Sequence, residues 1–299
     1  MHIFLTGATG FVGSAIADQL LSAGHQVTGL ARNGQAVHRL VRRGIAAHRG
    51  ELSDPASLAA GAAEYDGVIH TAFIHDFSRY EENADIDHRA VTAIADVLAG
   101  SDKPFVATSV VTLLAPGRIG TELSERASPN IPRAASEATV LDAGDRGVRA
   151  SVVRLPFSVH GRSDSGFVPA LVDLARRKGV AAYIGDGTNC WPAINRLDAA
   201  RLFLLALEKA EPKTVLHAVA EKGVTMRAIA EAIGAGLGLP VRAIIAEQAN
   251  DHFEWLAHFV AVDQPISSML TCEWMGWQPK EYGLLTDLRE SGYFDDAKH

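Results

Sequence analysis

Cysteine is scarce in this sequence. Cys190 and Cys272 are the two present, and no Cys-x-x-Cys pair occurs. That excludes a disulfide framework and a zinc cluster built on cysteine, and it suits a reducing cytoplasm. No His/Asp/Glu cluster has metal-ligand spacing, so no metal is expected. Positive charge is also short. Lys and Arg number 28 against 35 Asp and Glu, a net charge of −7. The basic runs are limited to Arg42-Arg43 and Arg176-Arg177-Lys178. An acidic balance of this kind argues against a nucleic-acid partner, which needs many phosphate-neutralising cations. Long apolar runs are missing too, which argues against a membrane span. Met1-His2-Ile3-Phe4-Leu5 has no charged leader and reaches Gly7 at once, so it reads as a buried first strand rather than a signal peptide. No Gly-x-Ser-x-Gly nucleophile elbow, internal repeat or low-complexity stretch occurs.

What the sequence does have is a globular composition, 47% hydrophobic and 21% charged. It also has a strand–helix rhythm. Ile3–Thr6, Gln26–Ala31, Ile45–His48, Gly67–Thr71, Phe105–Ser109 and Ala150–Leu155 read as strands. Gly13–Ala23, Gln35–Arg43, Pro55–Ala63, Ala84–Leu98 and Arg133–Ala143 read as the helices between them. That alternation predicts a doubly wound α/β fold with a parallel sheet covered on both faces. The pattern loosens near Gly161. Two further helices follow, near Leu197–Lys209 and Thr225–Gly234, and then a tail carrying Phe253, Trp255, Trp274 and Trp277. The expected organisation is a dinucleotide-binding domain over 1–160 and a smaller cap over 161–299, interleaved with the sheet in space.

The strand Ile3–Thr6 runs into Gly7-Ala8-Thr9-Gly10-Phe11-Val12-Gly13 and then a helix. Three glycines at three-residue spacing in that context point to a dinucleotide loop. Gly7 makes the tight turn, Gly10 admits the pyrophosphate, and Gly13 brings the helix close to the sheet. The helix N-terminus offers free N–H groups to the phosphates. A glycine-rich turn without a ligand is the plain alternative.

Here the chain resembles the short-chain dehydrogenase/reductase superfamily, in its extended branch of epimerases, dehydratases and related reductases. Thr6-Gly7-Ala8-Thr9-Gly10-Phe11-Val12-Gly13 is similar to its TGxxGxxG signature. Gly50-Glu51-Leu52 resembles the Gly-Asp-Leu turn that meets adenine. His70-Thr71-Ala72 follows the fourth strand, where the family lines the cofactor. Asp87-His88-Arg89-Ala90-Val91 resembles the N-x-x-G-T helix, with Asp87 in the asparagine position. Arg154-Leu155-Pro156-Phe157-Ser158-Val159-His160-Gly161 resembles the R-x-P-x-x-V-Y-G segment near the nicotinamide. Gly185-Asp186-Gly187 and Leu197-Asp198-Ala199-Ala200 are similar to later motifs. The resemblance implies that Glu51, Leu52, Thr71, Ala72, Phe73, Thr108, Leu155 and Ser158 line the cofactor.

The second strand decides which dinucleotide is expected. An acidic residue at its end would bond the ribose 2′-OH of NAD. Ala31 stands there, followed by Arg32 and Asn33. A guanidinium can grip a 2′-phosphate through two hydrogen bonds, so NADP(H) is the expected cofactor, with Arg32 and Asn33 as clamp. A solvated surface arginine is the alternative.

The superfamily's Tyr-x-x-x-Lys pair is missing. Arg133 falls at the tyrosine position and Glu137 at the lysine position. None of the five tyrosines, Tyr65, Tyr80, Tyr183, Tyr282 and Tyr293, has lysine four residues on. The resemblance puts an upstream serine at Ser109, whose hydroxyl would donate to the substrate oxygen. Arg133 suits a developing alkoxide or a substrate carboxylate. An i, i+4 ion pair between Arg133 and Glu137 is the plainer expectation. His70, His75 and His160 are candidates for proton exchange, His160 foremost because it replaces the motif tyrosine. Asp198 is expected to cap its helix. Tyr183, Asn189 and Trp191 are pocket candidates, or else an aromatic cap core.

These residues imply a cytoplasmic, NADP-dependent oxidoreductase or epimerase-like enzyme, atypical in its active site, acting on a small carbonyl or alcohol. A small-molecule substrate is the expected partner, and a homodimer is left open. Two alternatives remain: a non-catalytic NADP(H)-binding redox sensor, and a nucleotide-sugar epimerase or dehydratase.

Overall fold

The computed structural model describes residues 1–128 and 130–295. Seven strands form one parallel sheet: β1 (His2–Thr6), β2 (Gln26–Ala31), β3 (Ala46–Arg49), β4 (Gly67–His70), β5 (Pro104–Val110), β6 (Arg149–Leu155) and, much later in the chain, β10 (Thr214–His217). Their spatial order is β10-β6-β5-β4-β1-β2-β3, so the direction of winding reverses next to β1. A reversal of this kind opens a crevice at the carboxyl ends of the strands, which is where ligands bind in such sheets. Ile3, Phe4, Leu5, Val68, Ile69, Phe105 and Val106 are all fully buried, as a sheet covered on both faces requires.

Helices α1 (Phe11–Ser22), α2 (Gly34–Val41), α3 (Pro55–Glu64), α4 (Tyr80–Leu98) and α5 (Ala134–Asp145) connect the strands. Helices α1, α2 and α7 (Arg196–Lys209) share one apolar core with the sheet. The other face is packed by α3, α4 and α5.

The region from Ser158 onward is more regular than its composition suggests. It contains β7 (Ser158–His160), α6 (Phe167–Lys178), β8 (Ala181–Ile184), β9 (Cys190–Asn195), β11 (Glu221–Thr225), α8 (Met226–Leu237) and β12 (Val241–Ile244). Short helices complete it: α9 (Ala249–Phe253), α10 (Ala257–Val260), α11 (Met269–Met275) and α12 (Leu284–Glu290). Small sheets β11-β9-β7 and β12-β8 form its frame. Its core is separate, centred on Trp191, Phe253 and Ile229. The chain crosses between the two layers repeatedly, since α7 and β10 return to the large sheet. Among the described residues no helix is long and apolar enough to cross a membrane.

Candidate active site

The glycine loop divides into two packing glycines and one open one. Gly7 has φ 75°, and a Cβ there would lie 2.6 Å from Thr71 Oγ1 and 2.8 Å from the Ala72 amide. A Cβ on Gly13 would overlap the Gly7 backbone. Gly10 is exposed, and a Cβ there would meet only the Gly7 carbonyl oxygen, at 3.1 Å. The fold itself therefore constrains position 10 far less than positions 7 and 13. A bare, open backbone is what a pyrophosphate needs there. Helix α1 also starts without a side-chain cap, so its first-turn amides face the same opening. The cradle fits a dinucleotide.

Thr6 ties this loop to the end of β4. Its hydroxyl oxygen accepts from the amides of Thr71 (3.1 Å) and Ala72 (3.2 Å). Thr71 Oγ1 donates to the Thr6 carbonyl at 2.8 Å. With both amides pointing into it, the Thr6 hydroxyl has its own hydrogen left for His70 Nδ1, 2.9 Å away. That places the ring proton on Nε2, which donates to Asp87 Oδ1 at 3.2 Å.

Arg32 lies exposed just beyond β2, and Glu51 is exposed while Leu52 is half-buried. Asn33 is the N-cap of α2, its Oδ1 accepting from the Ala36 amide at 2.9 Å. The cap uses up the side-chain oxygen of Asn33, which leaves Arg32 as the charged member of the expected clamp.

Arg133 occupies the N-cap of α5 in the left-handed conformation, φ 72° and ψ −8°. An L-residue there costs about 1–2 kcal/mol, so the side chain must be well held. It is held from three sides. Nη2 donates to the Thr108 carbonyl at 2.7 Å, Nε faces Asp87 Oδ2 at 3.6 Å, and the guanidinium lies 4.4 Å above the ring of Phe73. Asp87 is fully buried. Burial would raise its pKa, but the Arg133 charge and the His70 hydrogen bond prevail and hold it below the ordinary range. A continuous polar chain therefore runs beneath the crevice from Thr6 through His70 and Asp87 to Arg133.

Glu137 does not pair with Arg133, contrary to the i, i+4 expectation. Arg154 from β6 takes it instead, through Nε at 2.9 Å and Nη2 at 2.6 Å. Ser109 Oγ donates to the same carboxylate at 2.5 Å. Burial pushes the Glu137 pKa up, but Arg154 and Ser109 bring it below the usual value, so it is ionised and only accepts. The Ser109 hydrogen is thus committed to Glu137. In this arrangement the hydroxyl hydrogen points to Glu137 and the Ser109 oxygen keeps its lone pairs. The left-handed start of α5 turns Arg133 toward Phe73, while Glu137, one turn on, faces the strand ends.

His160 belongs to another cluster. It is fully buried, and its Nδ1 meets Asp287 Oδ2 of α12 at 2.7 Å. Its place is under the carboxyl-terminal helix, apart from the Ser109 hydrogen bonds. The pocket candidates serve the cap frame. Asn189 donates to the carbonyls of Val260 (2.8 Å) and Val262 (3.2 Å), and buried Trp191 donates to Phe259 O at 3.0 Å. Tyr183 stacks with Arg227, at 5.1 Å. Asp198 does not cap α7; Asn195 does, and Asp198 instead accepts from the amides of Lys280 (2.9 Å) and Glu281 (3.0 Å). Leu155 is half-buried at the end of β6, and Ser158 is buried with its hydroxyl unpartnered.

Two residues escaped the sequence reading. Arg196 lies 4.9 Å above the ring of Phe11 in the glycine loop, a contact across 185 positions that no local pattern signals. Tyr80 sits 6.0 Å from Phe73 at the start of α4. Burial raises its pKa against the opposing charge of Arg133.

A Rossmann crevice with an open glycine cradle matches what known proteins show. Residues 3–220 fit the model of the NAD dependent epimerase/dehydratase family. The chain belongs to that family. It is 49% identical to an uncharacterized protein of Schizosaccharomyces pombe over 98% of this chain and 100% of that one. A 2-alkyl-3-oxoalkanoate reductase of Stenotrophomonas maltophilia is 30% identical over 71% of this chain and 67% of its own. The fold is shared with a UDP-glucose 4-epimerase of Thermus thermophilus solved with NAD, at TM-score 0.76 and 20% identity over 99% and 100% of the two chains.

Proposed function

We propose that the protein is an NADP(H)-dependent reductase of small carbonyl compounds in which Arg133 receives the developing oxyanion. The observation that carries this reading is Arg133 itself. It is a buried arginine in a strained backbone conformation, pinned at the place where the resemblance puts the proton-donating tyrosine. The reductase activity in the name of the Stenotrophomonas relative supports it. Gly7, Thr9, Gly10, Phe11, Val12 and Gly13 hold the pyrophosphate, with Arg196 close by. Arg32 holds the 2′-phosphate. Thr71, Ala72, Phe73, Thr108, Leu155 and Ser158 line the rest of the cofactor.

When bound, the reduced cofactor supplies a hydride. The chain's own task is to hold the negative charge that appears on the carbonyl oxygen. Arg133 does this with a fixed, preorganised cation, made rigid by Thr108, Asp87 and Phe73. A guanidinium does not release its proton near neutrality, so water supplies the proton that completes the alcohol. Ser109 positions Glu137 and Arg154 behind the site.

The test is a screen of ketones and aldehydes for NADPH oxidation, followed by two variants. Glycine adopts the left-handed conformation freely, which offsets part of the cost of leaving Asp87 with His70 alone. In Arg133→Gly protein shown to be folded by its melting curve, kcat should fall by about 100-fold or more, the usual cost of an oxyanion donor. Ser109→Ala should cost less than about tenfold, within the range of a single neutral hydrogen bond. A larger loss in Ser109→Ala than in Arg133→Gly would sink the assignment.

The closed Ser109–Glu137–Arg154 cluster favours a second reading, a non-catalytic NADP(H)-binding sensor. Tight NADPH binding in calorimetry, with no turnover across the screen, would select it.

A further inference from the structure

From Arg133 a run of aromatic rings in contact with one another joins the two layers of the fold. Phe73, His75, Phe77 and Tyr80 come from the segment between β4 and α4. Phe167, Trp255 and Phe259 come from the cap. Phe77 is the joint between them. Its ring stacks on Trp255 at 5.6 Å and 15°, and it also meets Phe167 (5.5 Å) and Phe259 (5.6 Å). Toward Arg133 the rings continue from Phe77 through His75 (6.2 Å) to Phe73 (5.4 Å), above which the guanidinium lies at 4.4 Å. The apolar wall therefore begins at the proposed oxyanion group and ends at the cap.

Two features of this wall are costly unless something uses them. Trp255 is 52% exposed, although Phe253 two residues earlier is buried. Glu254, between them, has φ 54° and ψ −130°, a conformation an L-residue avoids. It is held there by Arg177, whose two nitrogens each reach the carboxylate at 3.1 Å, and by Lys178 at 3.6 Å. The result is that Trp255 points out of the cap and over Phe77. On the facing side, Phe77 sits in a one-turn 3-10 helix, and its neighbours Ile74, His75, Asp76, Ser78 and Arg79 are exposed. The segment touches the cap through rings, whose faces and edges pack against flat or flexible apolar groups.

The charge of the wall is as informative as its shape. Arg133, the guanidinium in contact with these rings, already shares its charge with Asp87. A nucleotide sugar needs cations for two phosphates and polar partners for its hydroxyls. Phe77, Phe167, Phe259 and Trp255 supply neither.

We infer that the Phe77–Trp255 stack is the specificity element of the site, and that it selects an uncharged carbonyl compound with an aromatic or alkyl tail over a nucleotide sugar. The carbonyl end rests on the reading of Arg133 given above. The tail end does not, because it depends only on the rings.

The test is a binding measurement that needs no turnover. Protein loaded with NADP⁺, which cannot reduce a ketone, is titrated by calorimetry with 1-acetonaphthone, decan-2-one and UDP-glucose. The expected result is binding of both ketones and none of UDP-glucose. Trp255→Ala and Phe77→Ala should each weaken ketone binding by about tenfold or more, and the two effects should fall short of additive because they share one stack. Trp255 is exposed, so its removal leaves the folded core intact. Trp274→Ala, another exposed tryptophan outside the wall, should change nothing. Binding of UDP-glucose, absence of ketone binding, or undiminished ketone binding in both Trp255→Ala and Phe77→Ala overturns the inference. Ketone binding without NADPH consumption in the turnover screen would defeat the reductase reading and leave this one standing. Turnover that both aromatic variants leave unchanged would do the reverse.

Discussion

Ser109 donates its hydroxyl hydrogen to Glu137 across 2.5 Å, and that one bond changes what the serine can do. Glu137 is ionised between Ser109 and the two nitrogens of Arg154, so it accepts from all of them. The side chain of the neighbouring buried cation, Arg133, is held instead by Thr108, Asp87 and Phe73.

The buried Glu137–Arg154 pair should dominate local stability. Replacing one partner strands a charge, which costs about 3–5 kcal/mol. Glu137→Gln is therefore expected to lower the urea midpoint sharply, and Glu137→Gln with Arg154→Met should recover much of it. The pH dependence has a definite sign. The carboxyls of Glu137 and Asp87 both titrate below their ordinary values in the folded protein. Their stabilisation is complete above the unfolded carboxylate range and is lost as pH falls through the depressed folded values, below about pH 4. Glu137→Gln should make this acid limb shallower.

Asp164 behaves in the opposite way. It accepts from Tyr293 at 2.9 Å, and burial raises its pKa to about 6. A raised carboxyl penalises the folded state as pH climbs from the unfolded value toward 6, and the penalty stays constant above that. Asparagine keeps the acceptor without the charge. Asp164→Asn should flatten the stability profile between about pH 4 and pH 6 and stabilise the protein at pH 8 by about 3 kcal/mol at most. Thermal denaturation across pH checks both points, and an unchanged profile would exclude Asp164 as the titrating group.

Arg32 sets the cofactor choice if it meets a 2′-phosphate. NADPH should then bind more tightly than NADH by about tenfold or more, and Arg32→Asp should abolish that preference while sparing NADH. Calorimetry with both cofactors decides it. Equal affinities in the unmutated protein would rule the clamp out.

The glycine loop predicts a contrast between two substitutions. Gly10→Val meets only the Gly7 carbonyl oxygen, at 3.1 Å, with an ordinary φ of −80°, so a shift of a few tenths of an ångström accommodates it and the protein should fold and lose NADPH binding. Gly13→Val drives its side chain into the Gly7 backbone and should fail to fold or melt far lower. Melting curves with and without NADPH separate the two cases. Restored binding in a folded Gly10→Val variant would move the phosphate site elsewhere.

The sequence by itself determined six of the seven strands of the sheet, the helices between them and the glycine loop, while the edge strand β10 (Thr214–His217) was legible only in the structure. Each depends on local rules: alternation of apolar strands with helices, and glycines spaced by three between a strand and a helix. It also determined that Tyr-x-x-x-Lys is missing, and that Arg32 follows the second strand. The tertiary structure alone decided who pairs with whom. Glu137 lies four residues from Arg133 on one helix, yet the left-handed turn at Arg133 sends the two side chains to different partners, Asp87 and Arg154. His160 stands where the motif tyrosine would be, but the carboxyl-terminal helix reaches back and covers it with Asp287. Asn33 is polar and well placed for a phosphate, yet it caps α2. Arg196 over Phe11 and Trp255 over Phe77 join segments more than 170 residues apart. Local periodicity fixes which face of an element is apolar. It does not fix which distant side chain comes to rest on that face, because the winding of the sheet and the return of the cap bring those partners together.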